Sequence, residues 1–228
     1  VRLESLRVVW LSAVLVLSAC SSSPTPSGDD AGTPSPGGNG QPDPGTGGSV
    51  ARSSRNNLRF KGAERLATDF ATALSLPADQ VCNELGQYPC TSYVHTVTLG
   101  GVDPYANSLY EPLTASGVTT PIAVDRVVLS ACGRRVALDL ATPSAAVLFK
   151  DIALDAQGRL ADRGGTPVKD AITALYQRGV LRDPSDAEMS ALIQLSTDIE
   201  GSGSTQPGQD WMKAACFVVL SSAESVFF

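Results

Sequence analysis

Residues 21–50 set the limit on how much of this chain can fold. The stretch holds eight Gly, six Pro, six Ser and three Thr among its 30 residues, with no aromatic side chain and Val50 as its only large aliphatic. Such a segment cannot bury enough apolar surface to offset the entropy of ordering its backbone, so it is expected to stay disordered. Residues 51–57, Ala-Arg-Ser-Ser-Arg-Asn-Asn, extend it. A flexible tether of this length spans roughly 30 Å, and about 100 Å when drawn into a polyproline-like form. Folding is thereby confined to residues 58–228, a length that supports one domain with a real core.

The charge of that domain narrows its chemistry. Residues 58–228 carry 13 Lys and Arg against 19 Asp and Glu, which is the whole net charge of −6. An acidic chain with no basic cluster is a poor partner for nucleic acid, because neutralising phosphates needs a patch of Lys and Arg. The single histidine, His95, excludes multi-His metal sites. There is no Gly-x-Ser-x-Gly, Walker loop, dinucleotide fingerprint or His-Glu-x-x-His, and no Cys-x-x-Cys. Asp151, Asp155 and Asp162 lack the alternating ligands of an EF-hand. No cofactor and no metal are therefore expected.

Hydrophobic periodicity predicts a mainly α domain with a small β-hairpin element, preceded by the disordered linker. Ala63, Leu66, Ala67, Phe70, Ala73 and Leu74 recur at spacings of three and four, predicting a helix over 58–74 that Pro77 ends. Thr120-Pro121 reads as a helix start. Val124, Val127, Val128, Ala131, Cys132 and Arg135 follow as one stripe, with Asp125, Arg126 and Arg134 off it. Residues 145–161 alternate more like strands, and Asp155-Ala156-Gln157-Gly158 is a turn signal for a short hairpin. Thr166-Pro167 and Asp183-Pro184 open two further helices, the second with Asp183 as N-cap. Met189, Leu192, Ile193, Leu195 and Ile199 are its inward positions. Residues 211–220 are apolar almost all round, which fits a buried helix or a central strand, and their length favours the helix.

The beginning of the chain has the parts of an export signal. Two arginines lie in residues 1–7, ten uncharged residues rich in Val and Leu follow, and small residues precede Cys20. The apolar run is too short to span a bilayer. The tetrad Leu17-Ser18-Ala19-Cys20 resembles the lipobox of bacterial lipoproteins. The resemblance implies a signal peptide over 1–19, lipid on the Cys20 thiol and acylation of the new amino group, with the tether at 20–57 and a single globular domain at 58–228. Two or more acyl chains anchor a protein stably where one does not, so the implied partner is the membrane, through Cys20. Ser21 after the cysteine implies the outer membrane of a bacterial cell envelope.

Cys82, Cys90, Cys132 and Cys216 remain. An even number in an exported chain suggests two disulfides, with three possible connectivities. Cys82 with Cys90 is favoured, since Gly86 and Pro89 between them let the chain fold back. Cys132 and Cys216 then either join two core helices or remain buried thiols.

Candidate functional residues are few. His95 lies in the alternating stretch Tyr93–Leu99, and any nucleophile–His–acid site would have to use it. Asp103, before Pro104, reads as a turn starter, and Arg126 as a partner for Asp103 or Asp139 in a buried ion pair. Near the C-terminus, Leu175-Tyr176-Gln177-Arg178, Leu181-Arg182-Asp183-Pro184-Ser185 and Glu188, together with residues 220–227, resemble a helix pair and closing segment of planctomycete-type cytochrome-associated surface proteins. Val226 departs from that pattern, and the haem motif Cys-x-x-Cys-His is absent. As a whole the chain resembles envelope lipoproteins of myxobacterial type. Together these features imply a membrane-anchored binding or scaffolding module with an envelope protein partner. The alternatives are an accessory subunit of a surface redox or degradative complex, and an envelope hydrolase using His95.

Overall fold

The computed structural model describes residues 58–112 and 117–228. Cys20 and the residues expected to form an export signal and a tether lie outside the described residues. The domain is mainly helical. Helix α1 spans Ala63–Leu74, α2 Thr120–Ala141, α3 Thr166–Gly179, α4 Asp186–Gly201, α5 Pro207–Leu220 and α6 Ala223–Val226. The one sheet among the described residues is a two-stranded antiparallel ladder, β1 (Asn83–Glu84) with β2 (Tyr88–Pro89). No helix among the described residues is long and apolar enough to cross a membrane.

Helix α1 begins at Gly62, whose φ of 77° lies in the left-handed region that favours glycine. It buries Leu66, Phe70 and Leu74 along one side, as their spacing requires. The 22-residue α2 is the central element. Its predicted stripe from Val124 to Arg135 is buried in full, and Cys132 is bonded to Cys216 of α5 at a Cα separation of 5.8 Å. Helix α5 is covered on most of its circumference. Trp211 is buried at its start, gives its indole N–H to the carbonyl of Leu192 in α4 at 2.8 Å, and meets Phe149 edge-on. The two ends of the domain meet as well. Phe60 bridges Phe227, and Phe228 N–H donates to the Arg59 carbonyl at 2.9 Å.

Two local expectations are corrected, and the alternating stretch around His95 takes an irregular form. The hairpin expected at 152–160 exists only as a tight turn with the isolated bridge Leu154–Leu160. The Asp155 carboxylate accepts the backbone N–H of Gln157 and of Arg159 within that turn, and beyond it Ala161 N–H donates to the Ala153 carbonyl at 3.0 Å. The alternating stretch from Tyr93 forms no strand. It enters from a single π-type turn, Cys90–Val94, whose backbone satisfies itself through His95 N–H to the Cys90 carbonyl at 2.7 Å. Helix α4 is capped by Ser185 rather than Asp183. Ser185 and Glu188 form a reciprocal capping box, and Asp183 instead accepts from Gln177 at 2.7 Å.

The most consequential interaction lies at the far end of α2. Asp139 is buried, with no side-chain exposure, and pairs with Arg135 one turn earlier at 2.7 Å. Its two oxygens also accept three successive backbone N–H groups, from Val147 (2.8 Å), Leu148 (3.0 Å) and Phe149 (3.1 Å). Arg135 in turn reaches the Leu74 carbonyl at the end of α1. The expected pairing of Arg126 with Asp139 or Asp103 is therefore not formed. Arg135, on the buried stripe, is the residue close enough, and Arg126 lies on the exposed side of α2.

Removing one member of a buried, hydrogen-bonded ion pair strands the other charge and costs roughly 3–5 kcal/mol. Asp139→Ala should destabilise the domain by about that amount in urea unfolding followed with both disulfides intact. A loss under about 1 kcal/mol would show that the carboxylate is not structural.

Candidate functional site

The residues that the helical frame leaves for function lie on the segment between α1 and α2. Its opening is closed by Cys82–Cys90, with Cα atoms 5.4 Å apart. The bond encloses β1, a turn through Leu85 and Gly86 with positive φ at both, and β2. Beyond Cys90 the chain makes the π-type turn and then a series of tight turns ending at the bridge Asp103–Leu109. Gly101 is required there. A Cβ at that position would lie 2.8 Å from Thr96 Cγ2 and 2.9 Å from the Thr96 carbonyl oxygen.

Two links fasten this segment to α2. Thr120, buried at the first turn of α2, gives its hydroxyl hydrogen to the Thr98 carbonyl at 2.7 Å. Glu84 supplies the other link. Its Oε1 lies 2.7 Å from His95 Nε2 and 2.9 Å from Arg126 Nη2. The carboxylate thus ties the disulfide loop to the turn carrying the only imidazole and to the flank of α2. Closure of the loop is what makes the contact, because Glu84 and His95 are eleven residues apart and share no regular element. Glu84 was not singled out by sequence, since one carboxylate in an acidic chain carries no signal until the loop is closed.

His95 and Arg126 are therefore brought together, through Glu84, while Asp103 stands apart. Asp103 stabilises its own turn, accepting the Ala106 N–H at 3.1 Å and the Asn107 amide at 2.7 Å. Among the described residues Glu84 is the one side chain hydrogen-bonded to the His95 ring, so the imidazole and carboxylate stand without a nucleophile at hydrogen-bond distance. The Glu84 contacts link the disulfide loop to the turn at His95 and to α2. No group of three or more His, Cys, Asp or Glu side chains suited to a metal is gathered among the described residues.

Several tyrosines of this segment are exposed. Tyr93 is 70% exposed, Tyr110 74% and Tyr105 99%. Tyr88 and Tyr93 stack at 5.6 Å with their planes 18° apart. Leu85 and Val102 are also exposed. A cleft of about 490 Å³ lies between the segment and the first turn of α1, lined by Lys61 and Arg65 on one side and by Thr91, Ser92, Thr96 and Val102 on the other. Lys61 and Arg65 are both paired with Asp69, at 3.0 and 2.8 Å.

The residues behind the C-terminal resemblance form a structural box. Arg182 holds Glu188 through two hydrogen bonds, at 2.8 and 2.6 Å, reaches Glu224 at 2.8 Å and lies over the Tyr176 ring. The guanidinium of Arg182, helped by the Ser185 backbone N–H and hydroxyl, holds the Glu188 carboxyl far below the usual carboxylate range. Burial, reinforced by Glu188, raises the Tyr176 phenol. These groups join the start of α4 to α3 and to the closing turn at α6.

Comparison of the chain with protein-family models, curated proteins and solved structures finds no match.

Because the Glu188 pKa is lowered in the folded state, its contribution is complete above the unfolded carboxylate value, about 4.3. It is lost as pH falls from there through the folded value. Glu188→Gln should therefore be less stable than the parent at pH 7, and the gap in urea midpoint should shrink steadily as the solution is acidified below that value. A gap independent of pH would contradict the charged pair.

Proposed function

We propose that this chain is a lipid-anchored lipoprotein of the bacterial cell envelope, and that its folded domain is a binding or scaffolding module carried on the Gly/Pro/Ser-rich tether. The observation that carries the reading is the cysteine arithmetic. All four cysteines of the domain pair with one another, in the loop bond and the α2–α5 bond. Paired structural disulfides belong to oxidising compartments outside the cytosol, and both bonds exclude Cys20, the one cysteine in the lipobox-like tetrad. That division of labour suits an exported protein with one acylated thiol at the outer-membrane surface.

A binding role is supported by what the frame presents. Tyrosine combines a large, stiff apolar ring with a polar tip, so it loses little conformational entropy on contact and suits interfaces. Tyr93 stacks on Tyr88 beside the loop held by Cys82–Cys90 and Glu84, so its ring is held before a partner arrives, which reduces the entropic cost of association. The single imidazole is occupied by its contact with Glu84, which favours the binding reading over hydrolysis.

Substituting Cys20 by Ser should release the protein from the membrane pellet into the soluble fraction of cells that export it, with both disulfides retained. Intact-mass measurement of the parent should show a lipidated chain beginning at Cys20. A serine variant that still sediments with membranes, or a parent chain of unmodified mass starting at its first residue, would overturn the anchor.

A further inference from the structure

The two disulfides differ in what can reach them and in what depends on them. Cys132 and Cys216 are fully buried between α2 and α5. Cys90 is fully buried too, while Cys82 keeps 8% of its surface in solvent. The loop between Cys82 and Cys90 faces solvent along most of its length, from Leu85 to Pro89. A reductant therefore has one point of approach to a disulfide of this domain, at Cys82. Few contacts besides the bond close the loop. Strands β1 and β2 share only the pairs Asn83 with Pro89 and Glu84 with Tyr88, and Cys90 N–H donates to the Cys82 carbonyl at 3.1 Å. A two-stranded hairpin of that size is not stable in water by itself.

The loop carries one partner of each long-range contact made here: Glu84 to His95 and Arg126, and Tyr88 to Tyr93. The helical frame is held by other means. Its own bond joins α2 to α5, Val81 and Leu99 are buried on either side of the loop and its following turn, and Thr120 holds the Thr98 carbonyl. A reduced Cys90 stays in its site as a small apolar side chain. We propose that Cys82–Cys90 is a redox-controlled latch, whose reduction by a dithiol frees the loop, withdraws Glu84 from His95 and Arg126 and parts Tyr88 from Tyr93, with the helices still folded. One thiolate of the dithiol attacks Cys82 Sγ, and the electron pair of the S–S bond leaves on Cys90, which takes a proton. The second thiolate of the reductant then attacks its own sulfur in the mixed disulfide and expels Cys82, which is protonated in turn. The dithiol loses two electrons and becomes a disulfide, and the cysteine pair gains two electrons and two protons. The proposal goes beyond the reading of the domain as an anchored module and stands on the loop's own contacts.

The test uses the full chain carrying Cys20→Ser, in which the two pairs are the only cysteines. It is titrated with dithiothreitol at neutral pH without denaturant, and the thiols formed are trapped with a maleimide and located by peptide mass. Cys82 and Cys90 should be trapped at about tenfold less reductant than Cys132 and Cys216. At that point helicity should equal the parent's. Amides between residues 83 and 95 should exchange faster, and those in the middle of α2 and α5 should stay protected. Oxidised glutathione should restore the original exchange pattern. Because the Glu84 contacts and the bond support each other reciprocally, Glu84→Gln should lower the dithiothreitol needed to open the loop bond by about threefold and leave the α2–α5 bond as it was.

Trapping of all four cysteines together, or of the α2–α5 pair first, would overturn the proposal. Loss of helicity in step with opening of the loop bond would do the same, since it would make the bond a brace for the whole domain. So would unchanged exchange between residues 83 and 95 after reduction, or a Glu84→Gln chain whose loop bond opens like the parent's. These outcomes are independent of the anchor, because the tested chain has no thiol at position 20.

Discussion

One buried carboxylate holds the longest helix to the chain that follows it. A charge taken out of water is costly unless every lone pair is used. Asp139 meets that condition with the Arg135 guanidinium and three consecutive backbone N–H groups. Those N–H groups belong to residues that leave α2 in a tight reversal, where no regular element could satisfy them. The same contacts seat Phe149 against Trp211, and Trp211 fixes α5 to α4 through the Leu192 carbonyl. Helix α2 is thus connected to α5 twice, by this polar junction and by the covalent bond from Cys132.

The two disulfides act on different scales. The α2–α5 bond closes a separation of 84 residues, which in the chain-entropy picture restricts the unfolded chain by about 4.5 kcal/mol. The loop bond closes only eight and restricts the unfolded state by roughly 2.5 kcal/mol. Its greater effect is to place Glu84 where His95 and Arg126 converge. The frame thus supplies rigidity through buried contacts among α1, α2, α4 and α5, and the loop uses that rigidity to hold polar and aromatic side chains in solvent. Binding surfaces are commonly built this way, with recognition residues on loops and a scaffold beneath them.

The parts of this architecture that follow from local pattern were legible beforehand. The apolar stripe of α2 and the inward positions of α1 are periodic signals that tertiary packing only had to accept. The Cys82–Cys90 bond followed from the reversal at Gly86 and Pro89, whereas the sequence left Cys132 and Cys216 open between a bond and two buried thiols, and the structure joins them. What could not be read were contacts that exist only after distant segments meet. Arg126 was placed off the buried stripe, yet its partner could not be named, because Glu84 reaches it only once the disulfide loop closes. Arg135 looked like one more member of an apolar stripe, although its guanidinium and Asp139 form the polar centre of the fold. The short extent of the hairpin at 152–160 has a local cause. The Asp155 turn signal was correct, but a turn specifies a reversal and not the length of ladder that follows. The capping error at α4 arose from two adjacent candidates, and the reciprocal bond between Ser185 and Glu188 decided between them.

The central physical claim is that the Asp139 junction is part of the cooperative core, although it lies in a segment without regular structure. Native-state hydrogen exchange addresses it at three amides, those of Val147, Leu148 and Phe149. Amides inside the cooperative unit exchange only when the whole domain opens. Their opening free energies should therefore equal the global unfolding free energy and match those of buried amides in the middle of α2. Exchange at the rate of the exposed turn around Tyr105, with the helices still protected, would contradict the account.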